Sequence, residues 1–269
     1  MTDLASRSLA PGALPDASPG ETRMIGGVRV RAARGEAVVR DIAARLEAGT
    51  FTRVAFVNAH CINLSYERND YRRALTDFLV LPDGVGVDLA SRLLFDAPFP
   101  ENLNGTDFVP ELFRRLPRSA RIGLIGARPG VAEEAAAQFA AESPQHVFVP
   151  ISDGFFAEGA ETDALLARTR AAKVDLVLVA LGVPRQELFI AHHLTSAETT
   201  VAIAVGALLD FKAGRVPRAP AIVRHLRAEW LFRLGAEPRR LWRRYVLGNP
   251  KFLSHILRER RRRSAGGSL

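Results

Sequence analysis

A chain of 269 residues, 48% apolar and 25% charged, is long enough for one large core, or for one core with a small appendage. Its single cysteine, Cys61, excludes an intrachain disulfide and fits a reducing cytosol. No run nears the ~20 apolar residues that cross a bilayer, and the N-terminus lacks the basic-then-apolar pattern of a signal peptide. Any contact with a membrane is therefore expected from the side.

Residues 1–22 are rich in Pro, Gly, Ala and Ser without periodicity and read as a disordered N-terminal segment. An α/β catalytic domain is expected over 23–214. A helical pattern runs over 36–48, with Gly49 placed to end it. Strand-like apolar runs then recur at 54–57, 78–81, 121–125, 147–151, 174–181 and 201–205. Helical patterns lie between them, at 71–76, 85–95, 108–116, 131–141, 163–171 and 186–194. Continuous apolar runs such as VDLVLVAL predict strands buried on both faces. The alternation predicts a Rossmann-like, mainly parallel sheet with helices on both faces. The punctuation GRVPRAP at 214–220 marks a boundary. Beyond it a helical basic appendage is expected over 215–260, in helices at 222–234, 238–247 and 251–260, followed by a disordered tail at 261–269.

The charge is uneven. Residues 215–263 carry fifteen Lys and Arg against three acidic residues, a net of +12 in a chain whose total is +8. Both tryptophans, Trp230 and Trp242, lie in the same tract. Arginine forks pair with phosphate oxygens, and aromatic rings settle at a lipid–water boundary. The same composition also fits a solvated helical face or a nucleic-acid contact.

Open parallel sheets bind ligands at the carboxyl ends of their strands, so the residues just after each strand are the informative ones. LPDGVGV places Asp83 at a strand end before two glycines; it reads either as a general base or as an ordinary turn carboxylate. GLIGARPG, with Gly126, fits close backbone approach to a phosphate or a tight strand–helix turn. It is neither the dinucleotide fingerprint nor a P-loop, which disfavours a nicotinamide-dependent oxidoreductase. LGVPRQE puts Arg185 and Gln186 at a helix start, either facing a ligand or as polar first-turn residues. His60, His192 and His193 have no metal spacing, and Asp-x-Asp is absent, so no metal cofactor is expected. No nucleic-acid-binding signature accompanies the basic tract, so nucleic acid is not an expected partner.

With these segments in order, the chain resembles the WecG/TagA/CpsF family of bacterial glycosyltransferases. The resemblance runs from about residue 30 to about 253 and is carried by FVNAHCINL, LPDGVGVDLASRLL, NGTDFVPELF, IGLIGARPGVAEEAA, LGVPRQELFIA, GALLDFKAGRVPRAP and AEWLFRLGAEPRRLWRRYVLGNPKFL. It implies an inverting, metal-independent transfer from a UDP-sugar to a sugar on a polyprenyl diphosphate, for exopolysaccharide, capsule or wall polymer. It also implies a homo-oligomer, cytoplasmic and peripheral on the anionic inner face of the cytoplasmic membrane. The family's proposed base falls on Asp83, and its donor-pocket residues fall on Asn58, Gln186 and Asp210. Its C-terminal arginines fall on Arg233, Arg240 and Arg243. Asn102, Asn104, Gly126 and Arg185 complete the expected substrate-binding set. Two positions depart from the family pattern: Phe56 stands where Thr is frequent, and Asn102 where Arg is frequent.

Overall fold

The structure, a computed structural model, describes residues 20–217, 219–220, 229–236 and 238–266. Most of the predicted disordered segment at 1–22, and the start of the predicted helix at 222–234, therefore lie outside the described residues.

The described chain opens on a hairpin that the strand pattern above does not include. β1 (Thr22–Ile25) pairs antiparallel with β2 (Val28–Arg31). Gly26 and Gly27 join them with φ of 59° and 75°, the left-handed pair that a two-residue hairpin turn requires. Strands and helices then alternate: α1 (Gly35–Glu47), β3 (Thr52–Val57), α2 (Ala59–Glu67), α3 (Asn69–Ala74), β4 (Phe78–Pro82), α4 (Val85–Phe95) and α5 (Gly105–Arg115). They continue with β5 (Arg121–Gly126), α6 (Val131–Glu142), β6 (Val147–Ser152), α7 (Ala160–Ala172), β7 (Leu176–Ala180), α8 (Arg185–His193), β8 (Val201–Ala204) and α9 (Leu208–Lys212). The C-terminal part holds α10 (Glu229–Ala236), α11 (Pro238–Trp242), a π-helical turn (Arg243–Leu247) and α12 (Gly248–Gly266).

The eight strands form one sheet in the order β1-β2-β4-β3-β8-β7-β5-β6, parallel throughout except for the hairpin. The mainly parallel α/β fold expected from the apolar runs is thus present. The alternation along β7 shows why those runs are continuous. Leu176, Leu178 and Ala180 enter one core, with Ile42, Phe113 and Phe139 from α1, α5 and α6. Val177 and Val179 enter the other, with Ile62, Tyr71, Val87 and Ile190 from α2, α3, α4 and α8. Successive side chains of a strand point to opposite faces, so helices on both faces demand apolar residues at every position.

α12 belongs to the second core. Phe252 and Ile256 are buried there, 3% and 0% exposed, against α2 and α4. Gly86 lets these helices close: a Cβ there would meet the Ala59 methyl at 2.9 Å and the Phe252 ring at 3.7 Å. Polar ties add to the apolar contact. Glu259 accepts from Gly26 N (3.1 Å) and Tyr66 Oη (2.6 Å), and Asn63 Nδ2 donates to the Gly248 carbonyl at 2.8 Å. α12 runs to Gly266, so the described part of the predicted disordered tail at 261–269 is helical; Arg263 pairs with Glu259 one turn back and donates to the Met24 carbonyl. The helical C-terminal tract expected beyond the GRVPRAP boundary is present, and from Gly248 onward it packs against α2 and α4 of the α/β domain. No described helix is long and apolar enough to cross a membrane.

Candidate active site

β3 and β4 are parallel neighbours in a register that sets Val57 opposite Pro82. The next residue of each strand, Asn58 and Asp83, therefore leaves the sheet beside the other, at the carboxyl edge. The Asp83 N–H still donates to the Val57 carbonyl at 2.9 Å, and Asn58 Nδ2 donates to Asp83 Oδ2 at 3.3 Å. Asn58 also caps α2: its Oδ1 accepts from the backbone N–H groups of His60 (3.1 Å) and Cys61 (3.3 Å). An oxygen committed to the helix end forces the amide nitrogen toward Asp83, so the cap determines which way the amide points.

The pair stands in a cleft of about 780 Å³. Phe56 from β3 and Thr106 from α5 line it, with Gln186 from α8 and Gly206, Asp210 and Phe211 after β8. His60, Asn63 and Glu67 contribute from α2, Arg243, Arg244 and Leu247 from the π turn, and Lys251 from α12. Arg244 Nη2 donates to Asn58 Oδ1 at 3.2 Å, and Lys251 pairs with Glu67 at 2.9 Å. Burial, with Arg244 adding to it, pulls the His60 pKa down to about 4, so its imidazole is neutral at neutral pH. A carboxylate held by an amide, beside several cations and a neutral imidazole, suits proton abstraction from a hydroxyl next to an anionic group.

The model of the Glycosyl transferase WecG/TagA/CpsF family matches residues 23–266. The chain belongs to this family. Over 208 residues it is 32% identical to the N-acetylglucosaminyldiphosphoundecaprenol N-acetyl-beta-D-mannosaminyltransferase of Bacillus subtilis (strain 168), covering 77% of this chain and 79% of the relative. Over 183 residues it is 32% identical to the protein of the same name from Bacillus spizizenii, strain ATCC 23059 / NRRL B-14472 / W23, covering 68% and 69%. It is a glycosyltransferase, which displaces the oxidoreductase reading of the sequence.

In this WecG/TagA/CpsF glycosyltransferase, five of the expected residues line one cleft: Asp83, Asn58, Gln186, Asp210 and Arg243. Gln186 is buried, and both ends of its amide are engaged. Its Nε2 donates to Glu187 Oε1 (2.8 Å), and its Oε1 accepts from Gly206 N (3.0 Å), tying α8 to the turn that leads to Asp210.

Four others are not among the lining residues. Asn102 Oδ1 accepts from Gly84 N at 2.6 Å and so braces the turn that follows Asp83. Asn104 caps α5, accepting from Asp107 N at 3.0 Å, and so orients the helix whose Gly105 and Thr106 do reach the cleft. Gly126 has φ of 122°, and a Cβ there would lie 2.4 Å from the Ala180 carbonyl oxygen on the neighbouring strand. Arg185 donates to the carbonyls of Gly154 (2.8 Å) and Phe156 (3.1 Å) and lies over the Phe156 ring at 4.9 Å, holding the loop after β6. The side chains of Arg233 and Arg240 lie outside the described residues.

His60, Asn63, Arg244 and Lys251 are cleft residues that sequence reading passed over. The signals were local: His60 follows a strand-end Asn that caps a helix, and Arg244 is the second Arg of LWRR.

Proposed function

We propose that this glycosyltransferase moves a hexose or N-acetylhexosamine from a UDP-sugar to a sugar on a polyprenyl diphosphate, inverting the anomeric centre without a metal ion. The reading rests above all on the Asn58–Asp83 contact across β3 and β4, in a cleft that also contains Arg243, Arg244 and Lys251. The two Bacillus relatives support it, since their names specify an acceptor on diphosphoundecaprenol and a β-linked mannosaminyl product. Asp83 takes the proton of the acceptor hydroxyl as that oxygen bonds to the anomeric carbon. The bond to the UDP oxygen breaks on the opposite face. One displacement inverts configuration and needs one base. The charge of the leaving diphosphate meets guanidinium and ammonium groups, whose charge-assisted hydrogen bonds suit phosphate oxygens.

The acceptor's lipid places the reaction at a membrane surface, which we propose is the cytoplasmic face. Trp230, Leu231, Trp242, Val246 and Leu247 are exposed on the C-terminal segments, and Leu247 lies at the cleft itself. Arginines on the same segments would face anionic headgroups, each contributing roughly 1 kcal/mol near the surface.

The test is UDP release with a panel of UDP-sugars and a polyprenyl-diphosphate-sugar acceptor. Asp83→Asn should lose ~10²–10⁴-fold in kcat, the usual worth of a general base. Full turnover by folded Asp83→Asn would remove the base. Loss of activity in chelator, restored by magnesium or manganese, would remove the metal-free mechanism.

A further inference from the structure

Asn58 Oδ1 accepts from three donors, and the third comes from the far end of the chain. α11 passes into α12 through the π-helical turn Arg243–Leu247. A π turn winds wider than an α turn and changes the phase of the side chains it carries. Arg243 is exposed, its guanidinium 5.5 Å from the Trp242 ring. Arg244 is half-buried, and its Nη2 reaches Asn58 Oδ1 at 3.2 Å, alongside the His60 and Cys61 N–H groups. Its Nε is buried and meets no acceptor among the described residues.

We propose that Arg244 is a positioning residue for the transfer: through Asn58 it orients the Asp83 carboxylate and favours its ionised form. The proposal rests on reading Asp83 as the base. The guanidinium polarises the Asn58 amide, whose Nδ2 hydrogen then bonds Asp83 Oδ2 more strongly, as hydrogen bonds in a chain reinforce one another. A nearby positive charge also stabilises a carboxylate over its protonated form. Among the described residues, the other titratable or charged groups lining the cleft are His60 and Glu67 from α2, Asp210 from α9, Arg243 from the π turn and Lys251 from α12. His60 is neutral at neutral pH, and Glu67 and Lys251 pair with each other. Arg244 is the cation bonded to the amide that holds the base.

The experiment is the pH dependence of kcat for the full chain, with saturating UDP-sugar and lipid acceptor. Arg244→Gln is expected to lower kcat by about 10²-fold, the cost of a slightly misplaced catalytic group. Donor KM should change less than kcat, and the acid limb of the profile should move to higher pH. Arg244→Lys should restore part of the rate and bring the limb back. Arg243→Gln should leave the limb in place. In an Asn58→Ala background, Arg244→Gln should move the limb less than it does in the wild type, because the hydrogen-bonded link is cut and only the through-space effect of the charge remains.

A wild-type kcat and limb in Arg244→Gln would overturn the proposal, as would an equal shift with Asn58 already removed. If Arg244→Gln does not melt cooperatively, Asn58→Ala carries the test, and an unmoved limb there overturns it. The two readings fail separately. Full activity in Asp83→Asn removes the base itself, whereas an inactive Asp83→Asn beside an unaffected Arg244→Gln removes only the positioning role.

Discussion

Glu187 has no exposed surface, and its Oε1 accepts a 2.8 Å hydrogen bond from Nε2 of its chain neighbour Gln186. Its Oε2 is buried and meets no donor among the described residues. Burial raises the carboxyl pKa from 4.5 to about 7, against the opposing pull of the Gln186 bond. The folded value lies above the unfolded one, so the native state holds this proton more tightly. The resulting stabilisation is complete below 4.5 and is lost as pH rises toward about 7. At ~1.4 kcal/mol per pKa unit the swing is at most about 3.5 kcal/mol. Glu187→Gln keeps the shape and has no proton to lose. Urea midpoints of the two proteins on either side of this window should diverge as pH rises, with the variant the more stable at the alkaline end. Parallel pH dependences would show that Glu187 does not titrate there.

Gly126 and Ala180 sit side by side on β5 and β7, and a Cβ on Gly126 has no room against the Ala180 carbonyl. Gly126→Ala also places an L side chain at φ of 122°. Strain and overpacking together predict a loss of roughly 3 kcal/mol. The effect should appear in thermal or urea unfolding, with donor KM nearly unchanged in the folded fraction. A raised KM at unchanged stability would instead give Gly126 a direct part in binding.

Phe252 and Trp242 are both aromatic residues of the basic tract, yet their roles should separate. Phe252 is buried against α2 and α4, so it is not available to insert into a bilayer. Phe252→Ala should cost about 3–5 kcal/mol through the cavity it leaves. Amide exchange along α12 should rise with it. An unshifted unfolding midpoint would mean that α12 does not dock through this ring.

Trp230 and Trp242 are 37% and 42% exposed, and their replacement should do little to stability. Flotation on vesicles containing anionic lipid should instead weaken when both become Ser. Binding should also weaken with added salt, since exposed charges are screened within about 10 Å at 0.1 M. Undiminished flotation of the double variant would place the contact elsewhere on the protein.

The strand-end residues were legible because a parallel sheet delivers them all to one edge. Once runs such as VDLVLVAL are read as buried strands, Asn58, Asp83 and Asp210 must gather there. The β1–β2 hairpin was missed: Gly26-Gly27 marks its turn, but four-residue strands give a weak periodic signal. α2 was missed for a similar reason: its start depends on the Asn58 side chain as a cap, which is geometry more than composition.

By itself the sequence determined the layered α/β fold, the edge at which ligands would gather, and the carboxylate set there, because strand burial and strand ends follow from hydrophobic pattern alone. Only the tertiary structure decided what Asn102, Arg185 and Gly126 do: each satisfies or crowds a backbone group that is distant along the chain. It also decided that the C-terminal helix closes the core through Phe252, and that Arg244 of the Arg pair meets Asn58. Net charge reports how many cations a segment holds. Helical phase through a π turn, and the packing of α12 on α2 and α4, bring Arg244 to Asn58.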